Sequence, residues 1–114
     1  MSTLIEGSIP PIDDLLALML SKQASDLFLT VGIPPSLKVD GQILSVKLDN
    51  LSAGDTRDLA LTLMNDSQWQ SFERDKDVNF AVNPEGLGRF RVNVFQQQGQ
   101  VGMVVRRISS HIPS

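Results

Sequence analysis

The chain has 114 residues, with 10 basic and 13 acidic side chains and a net charge of −3. That length is enough for one domain that buries roughly 65% of its unfolded surface. It contains no cysteine and one histidine. Disulfides and thiolate chemistry are therefore excluded, and His111, alone in a polar tail, supplies neither a metal-ligand set nor a base for a serine nucleophile. The acidic balance offers no overall attraction for nucleic acid or an anionic membrane. No run approaches the ~18 apolar residues of a membrane span, and no basic leader opens the chain, so a cytoplasmic protein is expected.

Residues 1–10 read as a flexible lead-in. A helix is predicted from Pro11, where proline suits the first turn and Asp13 and Asp14 suit the positive end of the helix dipole. Ile12, Leu15, Leu16 and Met19 form its apolar stripe. Leu18 and Leu20 widen it, so this helix is either deeply packed or partly covered by another molecule. Ser25-Asp26 is expected to break the helix ahead of a buried strand, Leu27 to Val31. Gly32-Ile33-Pro34-Pro35 must be a loop, because neither proline can donate to a ladder. Ser36 to Val39 and Gln42 to Val46 then flank Asp40-Gly41, a strong hairpin signal.

Ser52 with Asp55 three residues on predicts a capped helix start, with Leu59, Ala60, Leu63 and Met64 inward. Asn65-Asp66-Ser67 ends that helix and caps a third, which carries Trp69 and Phe72. These rings are expected to close one end of the core, with a ligand platform at Trp69 as the lesser alternative. Asp77 to Val82 alternates as a strand, and Asn83-Pro84-Glu85-Gly86 turns it back. The order is helix, three strands, two helices, three strands. This predicts an α+β domain, with an antiparallel sheet of five to six strands and helices mainly on one face.

The last two strands hold the most informative residues. Arg89, Arg91, Arg106 and Arg107 are four of the ten basic side chains, gathered on one hairpin of an acidic domain. Phe90, Val92 and Val94 alternate with polar residues, and a β-branched run follows Gln97-Gln98-Gly99-Gln100. A loop with an even number of residues sets Phe90, Val92 and Val94 opposite Arg107, Val105 and Met103, and Arg91 opposite Arg106. A bulged, odd-numbered loop dissolves that pairing. Like charges facing each other destabilise a ladder by up to about 1 kcal/mol. Either the two guanidiniums splay into water or pair with Glu73, Asp75 or Asp77, or they form a bidentate clamp for an anion such as phosphate.

Other chemistry is thin. No G-x-x-x-x-G-K-[ST] loop is present, so this chain cannot by that route bind and hydrolyse a nucleotide by itself. Asp13-Asp14 sits where a helix favours acids, and Glu73, Asp75 and Asp77 flank a strand beside basic residues. Neither group makes a persuasive acid-base pair. No catalytic residue and no metal ligand is assigned.

Ala24-Ser25-Asp26-Leu27-Phe28-Leu29, Gly32-Ile33-Pro34-Pro35 and Lys38-Val39-Asp40-Gly41 together resemble the opening of the type IV pilus retraction ATPases of the PilT/PilU family. Gly88-Arg89-Phe90-Arg91-Val92-Asn93 and the run from Val101 to Ile108 are similar to the end of the same domain. Phe28, where PilT-like members tend to have histidine, and the Val-Gly-Met-Val-Val-Arg-Arg-Ile run point to the PilU branch. The resemblance spans about residues 12–113. It implies a PAS-like amino-terminal domain over 11–108, with 109–114 starting a linker to a RecA-like motor. In that family the motor forms a hexamer at the inner face of the cytoplasmic membrane, and the amino-terminal domain turns arginines toward ATP, which binds there with Mg. By position that role falls on Arg91 and Arg106, with Arg89 and Arg107 secondary, at an interface with a neighbouring subunit. The expected partners are the chain's own motor, the other subunits of the hexamer, a related retraction ATPase and the pilus platform. Tight ATP binding to this stretch alone is not expected. The rival reading is a free-standing PAS-like sensor or interaction module.

Overall fold

A computed structural model of the chain describes residues 8–108. The expected linker at 109–114, His111 and most of the lead-in lie outside the described residues. The element order is α1 (Ile12–Ser21), β1 (Asp26–Leu29), β2 (Ser36–Val39), β3 (Gln42–Ser45), α2 (Ala53–Leu63), α3 (Asp66–Asp75), β4 (Asp77–Val82), β5 (Phe90–Gln97) and β6 (Gln100–Arg107). The six strands form one sheet in the order β3-β2-β1-β6-β5-β4, with every neighbouring pair antiparallel. The expected α+β architecture is therefore the one observed.

This strand order explains why the helices share a face. Leaving β3 at one edge, the chain must enter β4 at the other, a distance of about 24 Å for five strand spacings. It covers that distance with α2 and α3, which pass over the sheet. On the side they cover lie Leu27, Leu29, Phe90, Val92, Val94, Met103 and Val105, all 0% exposed. From α1, Leu15, Leu16 and Met19 join them at 0%. Truncating any of the leucines, the methionines or Phe90 among these to alanine would cost about 2–5 kcal/mol.

Local signals act as their chemistry requires. Ser52 Oγ accepts from the Asp55 amide at 3.1 Å while Asp55 accepts from the Ser52 amide at 2.9 Å, a complete capping box. Asn65 and Gln68 repeat the arrangement for α3. The two hairpins with two-residue loops turn through left-handed pairs, Asp40-Gly41 (φ 50° and 80°) and Gln98-Gly99 (φ 53° and 78°). Such two-residue turns match the right-handed twist of the strands they join.

The structure corrects the bounds of two strands: β3 ends at Ser45 rather than Val46, and β1 differs at both ends. Asp26 does not break the helix; α1 ends at Ser21 and Asp26 is the first residue of β1, a strand that ends at Leu29 rather than Val31. An aspartate is unusual inside a sheet, and it is tolerated here because a cross-strand arginine neutralises it, as described next.

Candidate functional site: an arginine pair on the open sheet face

The β5–β6 loop is Gln98-Gly99, so the register is the even one: Arg91 pairs with Arg106, Val92 with Val105 and Phe90 with Arg107. Directly opposed residues share a sheet face, so Arg91 and Arg106 lie side by side on the face away from the helices. The neighbouring registers extend that row across the sheet. Asp26 pairs with Arg106 on one side and Lys38 on the other, and Ala81 pairs with Arg91. The row reads Lys38, Asp26, Arg106, Arg91, Ala81, with charge positive, negative, positive, positive, neutral.

The two arginines differ in their partners. Arg106 Nε donates to Asp26 Oδ1 at 2.9 Å, with side-chain exposures of 69% for Arg106 and 6% for Asp26. Ser25 Oγ donates to the other carboxylate oxygen, Oδ2, at 2.9 Å. Burial by itself would raise the Asp26 carboxyl. The hydrogen bonds from Arg106 and Ser25, with the charges of Arg106 and Lys38, outweigh burial and hold it below the usual aspartate value. Arg91 is exposed and, among the described residues, has no acidic partner.

The carboxylates named from the sequence as possible partners go elsewhere. Asp75 pairs with Arg74 at 3.1 Å, and Asp77 Oδ1 accepts from Asn93 Nδ2 at 2.8 Å. Glu73 joins no ion pair among the described residues. The acid that matters was not on that list. Ser25-Asp26 was visible as residues, but its meaning depended on β1 lying beside β6, a non-local pairing that no local pattern encodes.

Arg91, Arg106, Asp77, Asn79, Asn93 and Val104 line a shallow depression of about 390 Å³. Another, of about 200 Å³, lies beside the β5–β6 turn between Thr30, Val31, Phe95 and Gln100, and it has no charged lining. The other two arginines do not join the pair. Arg107, opposite Phe90, lies on the helix side at the end of β6, and Arg89 precedes β5, its carbonyl accepting from the Ile108 amide at 3.0 Å. Trp69 sits against Phe72, ring centroids 5.5 Å apart, with the Arg57 guanidinium 4.9 Å from its own ring centre. That is the core-closing role rather than an open platform.

No protein-family model matches the chain. It is 46% identical over 102 residues to the type IV pilus ATPase PilU of Pseudomonas aeruginosa, covering 90% of this chain and 27% of that protein. To the retraction ATPase PilT of the same organism it is 38% identical over 101 residues, 89% of this chain and 29% of PilT. A crystal structure of the retraction motor PilT with bound ADP superimposes with a TM-score of 0.86 at 35% identity, over 92% of this chain and 31% of that one. The chain is an amino-terminal domain of PilT/PilU type.

Its higher identity to PilU than to PilT agrees with the branch suggested by Phe28 and the Val101–Ile108 run. The ATPase DotB of Legionella pneumophila shares the fold, with a TM-score of 0.75 at 23% identity. This PilT/PilU-type domain spans less than a third of each of these relatives. Its sequence has no phosphate loop of the G-x-x-x-x-G-K-[ST] form. Among the described residues no helix is long and apolar enough to cross a membrane.

Proposed function

We propose that this domain, residues 11–108, is the nucleotide-gating part of a hexameric pilus retraction ATPase, joined through a linker beginning at 109–114 to a RecA-like motor. In this reading the motor binds ATP with Mg at the cytoplasmic face of the inner membrane. Arg91 and Arg106 then present guanidinium groups to its phosphates, from the same subunit or a neighbouring one. Two charge-assisted contacts make closure of the domain depend on the terminal phosphate, so hydrolysis loosens them and releases a rigid-body movement. Arg89 and Arg107 serve the subunit interface instead. The related retraction ATPase and the pilus platform are partners of the assembly.

The observation that carries this reading is the Arg91–Arg106 register on a face that no described helix covers, with Arg91 lacking an acidic partner among the described residues. A phosphate supplies the missing negative charge. The test is to measure ATPase turnover and nucleotide affinity of the full-length protein with Arg91→Ala and with Arg106→Ala. Both should weaken nucleotide binding or turnover about 10-fold or more, the loss of one charge-assisted hydrogen bond. Wild-type behaviour in both variants would remove the proposal.

A further inference from the structure

A flexible arginine with a 69% exposed side chain is a poor fixed contact unless something holds it. Asp26 is in position to do so. We propose that Asp26 is the positioning residue for the phosphate contact, gripping Arg106 by Nε and leaving both Nη groups for an anionic phosphoryl ligand. This rests on the reading of Arg91 and Arg106 given above.

Three observations support it. Asp26 stands directly opposite Arg106 across β1 and β6, and the contact is one 2.9 Å hydrogen bond from Nε. The Arg106 Nη groups donate to no described residue. The carboxylate is itself fixed: its side chain is 6% exposed, and its second oxygen accepts from Ser25 Oγ at 2.9 Å. Ser25 is in turn tied to β2, its amide donating to the Lys38 carbonyl at 2.8 Å. Charge is the third. One carboxylate among Lys38, Arg106 and Arg91 leaves the row positive, and it stays positive when the charge of Asp77, which lines the same depression and accepts from Asn93, is counted. The buried anion therefore orients one arginine without cancelling the pair.

A different role for the same contact predicts the opposite sign. If Asp26 merely quenched Arg106, removing the carboxylate would tighten anion binding. If it orients Arg106, removal weakens binding, because the ligand must then immobilise the side chain itself. That ordering is worth roughly a 2- to 10-fold change in affinity.

The test uses the full-length protein, with Kd for a non-hydrolysable ATP analogue and the kcat and KM of ATP turnover. Asp26→Ala should raise Kd and KM about 2- to 10-fold, and Asp26→Asn, whose Oδ1 can still accept from Nε, should recover part of that loss. In an Arg106→Ala background Asp26→Ala should add nothing, since its action runs through that side chain. Thermal unfolding confirms that each variant folds. If Asp26→Ala does not, Asp26→Asn carries the test, since orientation predicts equal or weaker binding and quenching predicts tighter. Tighter binding in either variant, unchanged binding in both, or a full additional loss in the Arg106→Ala background overturns the inference. Wild-type affinity in Arg106→Ala alone would instead bring down the phosphate reading, and this inference with it.

Discussion

Arg91 and Arg106 face each other on the same ladder, yet the same substitution at each should change stability in opposite directions. Threonine suits an exposed strand position at either site. At Arg91 it removes a like-charge opposition worth at most about 0.7 kcal/mol for unit charges ~6 Å apart in water, and less in salt. Since Arg91 gives up no acidic partner, Arg91→Thr should be neutral to slightly stabilising, by up to about 0.5 kcal/mol. At Arg106 threonine strips a carboxylate that is 6% exposed of its charged partner. A hydrogen bond to a charged group is worth about 1.5–3 kcal/mol. Because Arg106 itself is 69% exposed, solvent screening reduces that to about 1–2 kcal/mol. The relief of like charge is common to both substitutions, so urea denaturation at pH 7, followed by the fluorescence of the single tryptophan, Trp69, should separate the two variants by roughly 1–2 kcal/mol. The pH dependence has a definite sign. The folded Asp26 pKa is lowered, so its contribution is fully present above the unfolded aspartate value of about 3.9 and is lost as pH falls through the lower folded value. In Arg106→Thr, burial is left without its main counterweight and the carboxyl rises. The gap between the variants should therefore narrow as pH falls and that carboxyl protonates before the native one does. Stabilities within about 0.5 kcal/mol of each other at pH 7, the ordinary error of such comparisons, would refute the reasoning.

Two further substitutions test the scaffold. A methyl group on Gly102 would lie 2.5 Å from Cε1 and 2.7 Å from Cζ of Phe95, its cross-strand partner. Gly102→Ala should cost about 1–2 kcal/mol in denaturation, with Phe95→Leu restoring part of it; an unaltered midpoint would mean the ring moves aside freely. Ser52→Ala removes an acceptor from the first turn of α2 and should lower stability by about 1 kcal/mol, while Ser52→Gly should cost only a few tenths.

The local grammar of this chain was largely readable. The capping box at Ser52, the cap at Asn65-Asp66-Ser67, the Asp40-Gly41 hairpin and the period-two run through Phe90, Val92 and Val94 each involve residues within a few positions of one another. Each has one low-energy solution. The Arg91–Arg106 register is one of two that the sequence allows, and the two-residue Gln98-Gly99 loop of the structure decides it. What could not be read was the neighbour on the other side of β6. Strand β1 reaches it across some eighty residues of chain, Asp26 to Arg106, and nothing in either segment names the other. The acids proposed as partners, Glu73, Asp75 and Asp77, were those nearby in sequence. The actual partner is Asp26, which local pattern alone assigns to a helix break, a duty aspartate often performs when no cation is at hand.

That missing neighbour changes what the arginine pair means. Two unpartnered arginines on an exposed face could be explained as solvated surface charge, each screened independently. The structure instead gives one arginine a buried anchor and, among the described residues, leaves the other with none, so the positive charge of the row is offset at Arg106 and not at Arg91. Solvent can relieve such an imbalance: at physiological ionic strength charges are screened over about 8 Å. A bound phosphoryl group would relieve it more strongly: on the proposed reading it bridges Arg91 to an Arg106 already oriented by Asp26, so the ordering cost is met within the fold. These two cases respond differently to salt. Relief by solvent alone makes Arg91→Thr increasingly silent as salt rises, in stability and nucleotide affinity alike. Relief by a bidentate phosphate leaves the stability effect fading with salt while a loss of nucleotide affinity persists, since contacts within hydrogen-bonding distance survive screening that removes longer-range attraction.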